Sequence, residues 1–119
     1  MSAAAGSTGA GLGRWTRQER EAQALIDEVA DLDADFIGRC PGGCPVTLAG
    51  ELRSISLRPR SARPALEAEL YDGTGVLDLV WLGRREIPGI VAGRHVVVQG
   101  RVIGSHGRRR MFNPRYTLL

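Results

Sequence analysis

Between residues 46 and 119 the apolar positions recur mostly at every second residue, and the runs are short. Val46 to Arg58 is the longest. Leu48, Gly50 and Leu52 share one parity and Ile55 and Leu57 the other, so the strand needs a bulge or sharp bend near Ser54. Ala65 to Asp72 alternates cleanly, with Leu66, Ala68 and Leu70 inward and Glu67, Glu69 and Tyr71 outward. Val76 to Leu82 turns Leu77, Leu79 and Trp81 inward and Asp78 outward. His95 to Gly104 presents Val96, Val98 and Val102 to the core. Arg110 to Leu118 is the last run, with Pro114 marking a bulge. The period changes to helical upstream. Ala22, Leu25, Ile26, Val29 and Phe36 fall on one face, Thr16 and Glu19 have the spacing of a capping box, and the helix is expected to fray before Gly38.

The connections complete the expected architecture. Residues 1–13 are rich in Ala, Gly, Ser and Thr and are expected to be a disordered tail. The amphipathic helix belongs to 14–37. "GRCPGGCP" makes 38–45 a Cys/Pro/Gly hinge, and the β domain occupies 46–119. "DGTG" at 72–75 joins the second and third strands tightly. "RREIPGIVAGR" separates the third and fourth by more than a hairpin. Five short strands in this order, the first long and bent, predict an all-β fold. It is a five-stranded Greek-key barrel of the OB type behind an N-terminal α-helix.

Charge divides the chain. The formal net charge is +3, but the acids concentrate before residue 46 and the arginines after it. No lysine occurs, which excludes a Schiff-base lysine and a lysine-dependent phosphate loop. Arginine binds phosphate bidentately and stacks on bases. Arg58, Arg60 and Arg63 are expected in the 1–2 loop, Arg84 and Arg85 after strand three, and Arg108, Arg109 and Arg110 in or beside the 4–5 loop. Three segments would then aim guanidinium groups at one region, the footprint of a phosphate binder. Tyr71 is the one good stacking candidate, because Trp81 and one of Phe112 and Tyr116 are expected in the core.

Other chemistry finds little support. Cys40 and Cys44 supply half a tetrahedral zinc site. They read as free thiols, a redox-labile disulfide or part of a metal shared across a dimer, and free thiols suit a cytosolic chain. His95 begins a strand, and His106 sits in a turn. Glu67 and Glu69 resemble a catalytic pair only in spacing. No nucleophile elbow or metal-hydrolase motif is present, so the expected protein is a non-enzyme without cofactor or metal. No run is long and apolar enough to cross a membrane, and no secretory leader is visible, which makes the cytoplasm the expected location.

"RPRSARPALEAELYDGTG", "VWLGRREIPGI" and "NPRYTLL" together resemble the anticodon-binding type of OB domain. That type is found in some class II aminoacyl-tRNA synthetases and in the wedge of a branch-migration helicase. The closer likeness is to small stand-alone OB-fold proteins of high-GC bacteria. The resemblance covers about residues 46–119 and implies nucleic-acid binding without catalysis, with single-stranded DNA or RNA preferred to duplex. In this family bases lie across the outer face of strands two and three. Here that face carries Glu67, Glu69 and Asp78, so weak, backbone-dominated contact is expected. The alternative is a protein-interaction OB module that docks a partner through its acidic strand face and its helix. The helix has three possible uses: packing on its own domain, dimerising, or lying across the basic loops.

Overall fold

The computed structural model describes residues 14–40, 42–60, 63–104 and 108–119, with Arg60 described by its backbone alone. The expected disordered tail and the turn at His106 lie outside the described residues.

A capping box starts the helix α1 (Arg17–Asp31): the Glu19 amide donates to Thr16 Oγ1 at 3.0 Å, and the Thr16 amide donates to Glu19 Oε1 at 2.8 Å. These bonds satisfy two amides that a helix start otherwise leaves to water. The Thr16 bonds also hold the Glu19 carboxyl below its usual range. α1 stops at Asp31, short of the expected end: Asp33 takes a left-handed φ of 56°, and Asp33 N and Ala34 N donate to the Ala30 and Val29 oxygens at 3.1 and 3.2 Å, which closes the last turn. Leu25 and Val29 are its buried residues. A short 3₁₀ turn, Ile37–Arg39, follows and buries Ile37.

The β region is one six-stranded sheet. Its strands are β1 (Pro45–Arg60), β2 (Arg63–Tyr71), β3 (Val76–Leu82), β4 (His95–Arg101), β5 (Arg110–Phe112) and β6 (Arg115–Leu118), in the order β5-β3-β2-β1-β4-β6. The expected parity holds. Leu48, Leu52, Leu66, Leu70, Leu77, Leu79, Trp81, Val96 and Val98 form one buried cluster with Met111 and Ile37. The bend in β1 lies where the parity slips. Its register against β2 shifts between Arg53 and Ser56, and Ser54 takes a φ of 53°. At Gly50 a Cβ would stand 2.4 Å from the Tyr71 carbonyl oxygen, so only glycine permits this approach of β1 to β2.

Two expectations need correction. The 1–2 connection is not a loop carrying three arginines. Arg60 and Arg63 are paired in the register of β1 and β2, so Arg58, Arg60 and Arg63 belong to the strands. The last run divides at Asn113, whose φ of 49° interrupts it. β5 runs parallel to β3, and β6 runs antiparallel to β4. The two edges of the sheet are therefore joined by two residues, which reach about 10 Å at most. The joint is fastened to β3: Asn113 N donates to the Val80 oxygen at 2.7 Å, Leu82 N donates to Asn113 Oδ1 at 2.9 Å, and Trp81 Nε1 donates to the Pro114 oxygen at 3.1 Å.

The turn at 72–75 faces inward. Asp72 is fully buried. Its Oδ1 accepts from Thr74 N, Thr74 Oγ1 and Gly75 N at 2.8, 2.7 and 3.1 Å, and its Oδ2 accepts from Ile37 N at 2.8 Å. Thr74 Oγ1 accepts in turn from Gly38 N at 2.9 Å. At Gly73, with φ +91°, a Cβ would stand 2.4 Å from the Ala22 carbonyl oxygen, so α1 rests on this turn. A buried carboxylate with these partners is stable only while they are present. Asp72→Ala would strand the amides of Ile37, Thr74 and Gly75, a loss of about 3 kcal/mol. It is expected to lower the melting temperature strongly in thermal denaturation followed by circular dichroism, whereas Thr16→Ala at the exposed helix cap costs about 1 kcal/mol.

Candidate nucleic-acid interface

Because side chains alternate along each strand, the outer face of β1, β2, β3 and β5 can be read as rows. One row runs Arg53, Glu69, Asp78, Arg110. The row towards the 1–2 turn is Ser56, Glu67, Val80, Phe112, and the row towards the buried turn is Glu51, Tyr71, Val76. Glu69 and Asp78 are directly opposed like charges, a pairing that destabilises a sheet unless a cation intervenes. Arg108 supplies the cation. Its Nε and Nη2 bind both oxygens of Asp78 at 2.9 and 2.7 Å, and Nη2 also reaches Glu69 Oε2 at 3.2 Å. The Glu69 hydrogen bond and the Asp78 charge push the Arg108 guanidinium further above its already high range.

The arginines form two groups rather than one cluster. Gly83 N donates to the Pro64 oxygen at 2.8 Å, and Leu82 lies opposite Ala65. Arg58, Arg63, Arg84 and Arg85 therefore gather at the 1–2 end of the sheet. Arg63, Arg84 and Arg85 are exposed and, among the described residues, make no salt bridge. Arg58 Nε is 3.9 Å from Glu67 Oε1. Arg108 and Arg110 stand four residues along β2 and β3, about 13 Å away. Arg110 is exposed. Arg109 points elsewhere, donating to the carbonyl oxygens of Ile37 and Cys40 at 2.5 and 2.6 Å. It fastens the 3₁₀ turn to the domain and is not aimed at the outer face.

Tyr71 is half-buried, and its ring is covered by the Arg53 guanidinium, 4.2 Å from the ring centroid. Sequence reasoning missed Arg53. Its signal was parity, since it shares a strand face with Glu51, to which its Nε donates at 3.0 Å. Trp81 is buried, as expected. Tyr116 is 38% exposed and Phe112 half-buried, so neither aromatic fills the core; Met111 does. A second miss is an apolar cleft of about 510 Å³ beside the 1–2 end, lined by Leu57, Pro88 and Val91 among others.

Among the described residues, no group of three or more His, Cys, Asp or Glu is placed to hold a metal ion, and no helix is long and apolar enough to cross a membrane. The two thiols are not joined. Burial pushes the Cys40 thiol up, against the pull of Arg109, while Cys44 is exposed. His95 begins β4 and binds α1, its Nδ1 lying 2.7 Å from Glu28 Oε1 and its Nε2 lying 3.9 Å from Glu51 Oε2.

A mixed sheet with a long bent first strand, its two edge strands linked through two residues and its outer face flanked by arginines, fits the OB class. The chain belongs to the family of OB-fold nucleic acid binding domains of the tRNA anti-codon type, whose profile matches residues 46–119. The structure of RecG bound to a three-way DNA junction is similar over 64% of this chain, at 25% identity and a TM-score of 0.55. The chain spans 11% of that RecG chain. The structure of a Replication Protein A heterotrimer bound to ssDNA is similar in fold over 74% of this chain and 73% of that one, at 20% identity and a TM-score of 0.50. No curated protein matches by sequence.

Two outcomes follow from this geometry. Arg109→Ala is expected to remove two charge-assisted bonds and lower stability by about 2–4 kcal/mol, measured by urea denaturation. In the native protein iodoacetamide is expected to label Cys44 first and Cys40 only slowly, because burial keeps Cys40 protonated. Peptide mapping by mass spectrometry checks the order.

Proposed function

We propose that this chain is a non-catalytic binder of single-stranded nucleic acid, held chiefly through its phosphates. The observation that carries the reading is the set of exposed arginines without carboxylate partners among the described residues, Arg63, Arg84, Arg85 and Arg110, beside the outer face of β2 and β3. Arg58 and Arg60 extend the same end. RecG and Replication Protein A were each solved with DNA, which supports the class of ligand. In this reading β5 and β6 are the two halves of a fifth strand that closes a Greek-key barrel.

The acids on the outer face do not oppose this reading as strongly as their number suggests. Arg108 offsets one of the two charges of the Glu69–Asp78 pair, Arg58 stands over Glu67, and Arg53 and Arg110 lie in the same row as the pair. A phosphate chain then crosses a face of nearly balanced charge and is anchored at its 1–2 end. Tyr71 and Arg53 offer one stacked surface for a base. Few base contacts are available, so sequence preference is low and affinity depends on salt. Arg108 contributes only after it leaves its two carboxylates.

Fluorescence anisotropy with labelled oligo(dT) and oligo(U) tests this. Log affinity is expected to fall linearly with log salt, and replacing Arg63, Arg84 and Arg85 by Ala is expected to reduce that slope by about 2, at about 0.7 per lost phosphate contact. Asp78→Asn with Glu69→Gln is expected to tighten binding, and adding Arg108→Ala is expected to remove the gain. Absence of binding at low salt, or a triple variant indistinguishable from the wild type, overturns the proposal.

A further inference from the structure

Beyond Glu51, which faces His95, β1 has no strand on its second side among the described residues. Leu52 still exchanges bonds with Gly93 and Arg94, and from Ser54 to Arg60 the described pairing is with β2 alone. The direction of the free backbone groups follows from two prolines. Pro59 stands opposite Pro64, and neither has an amide hydrogen, so this pair is a non-hydrogen-bonded one. Antiparallel pairs alternate, which makes Arg58 with Ala65 and Arg60 with Arg63 the bonded pairs. Leu57 therefore turns its N–H and C=O away from β2, to the open edge. Pro59 turns only a C=O there, so it limits pairing beyond Leu57.

The apolar cleft lies beside this edge. Ile55, Leu57, Leu66, Pro88, Ile90 and Val91 contribute to its lining, and Leu57 and Val91 are 49% and 55% exposed. Arg85 lines it with Glu86, and Arg84 and Arg63 are exposed at the same end. The edge thus combines strand hydrogen-bonding groups, an aliphatic hollow and an excess of positive charge.

We propose that this edge docks an extended acidic segment of a partner protein, which adds a short strand beside Leu57. Its alternate apolar side chains enter the cleft, and its carboxylates meet Arg63, Arg84 and Arg85. Three features select this occupant. The hollow is lined by aliphatic groups with no aromatic ring on which a base would stack. An edge that offers both N–H and C=O is matched by peptide backbone, whereas a phosphodiester only accepts. A second copy of the chain would bring the same arginines and Pro59 against their equals.

The test uses the full chain labelled with nitrogen-15 and a short blocked peptide in which aspartate alternates with valine and leucine. A peptide of the same composition, with its apolar residues in one block, is the control. The alternating peptide is expected to shift the amides of Leu57 and of residues 85–91 and to slow exchange of the Leu57 amide. Leu57→Asp and Val91→Asp change exposed residues, so both are expected to fold and to weaken binding by about tenfold or more. The proposal is overturned if the peptide causes no shifts, if the control acts equally, or if the shifts stay at the arginines without protection of Leu57. It is also overturned if oligo(dT) rather than peptide protects Leu57, or if sedimentation shows a dimer that Leu57→Asp dissolves.

Discussion

Two carboxylates placed side by side on neighbouring strands govern the outer surface of this protein. Glu69 and Asp78 are held opposite each other by the register of β2 and β3, and that register follows from the inward alternation of Leu66, Leu70, Leu77 and Leu79. The core therefore forces a repulsion onto the outer face, where Asp78 is itself buried. Arg108 offsets it with three hydrogen bonds. That one requirement divides the arginines. Arg108 serves the sheet, Arg109, beside it, turns to the 3₁₀ turn, and those at the 1–2 end stay in solvent.

Where side-chain alternation decided the outcome, the sequence was sufficient. The strand parities, the slip near Ser54 and the capping box at Thr16 are local, and each rests on chemistry within a few residues. The division of the last strand was only half legible. Pro114 gave notice of a break, but the exchange of partners from β3 to β4 depends on where two distant strands lie. The arginines show the same limit. Their number and spacing in "GRRR" are visible, yet whether each meets a carboxylate, a carbonyl or water is settled by residues thirty or more positions away. Asp72 was read as a turn residue. Nothing local shows that one of its oxygens serves Ile37 across the domain.

The N-terminal segment is part of the same folded unit as the sheet. Asp72 and Thr74 hold the 3₁₀ turn, Arg109 holds it from the residue before β5, and Glu28 reaches His95. The family match begins at residue 46, but the buried residues begin at Leu25. Helix and turn complete the packing at the end of the sheet away from Arg63, Arg84 and Arg85, and so leave that end open.

The two-residue joint at Asn113 and Pro114 also bears on the order of assembly. The β2–β3 hairpin closes over the four residues 72–75, whereas Asn113 finds Leu82 across 31 positions. The longer closure costs about 2 kcal/mol more chain entropy. Contacts of that kind consolidate after the hairpins that template them, so damage there speeds unraveling more than it slows acquisition of the native state. The seam where the last strand changes partners is thus expected to bear on the lifetime of the folded molecule more than on its rate of formation.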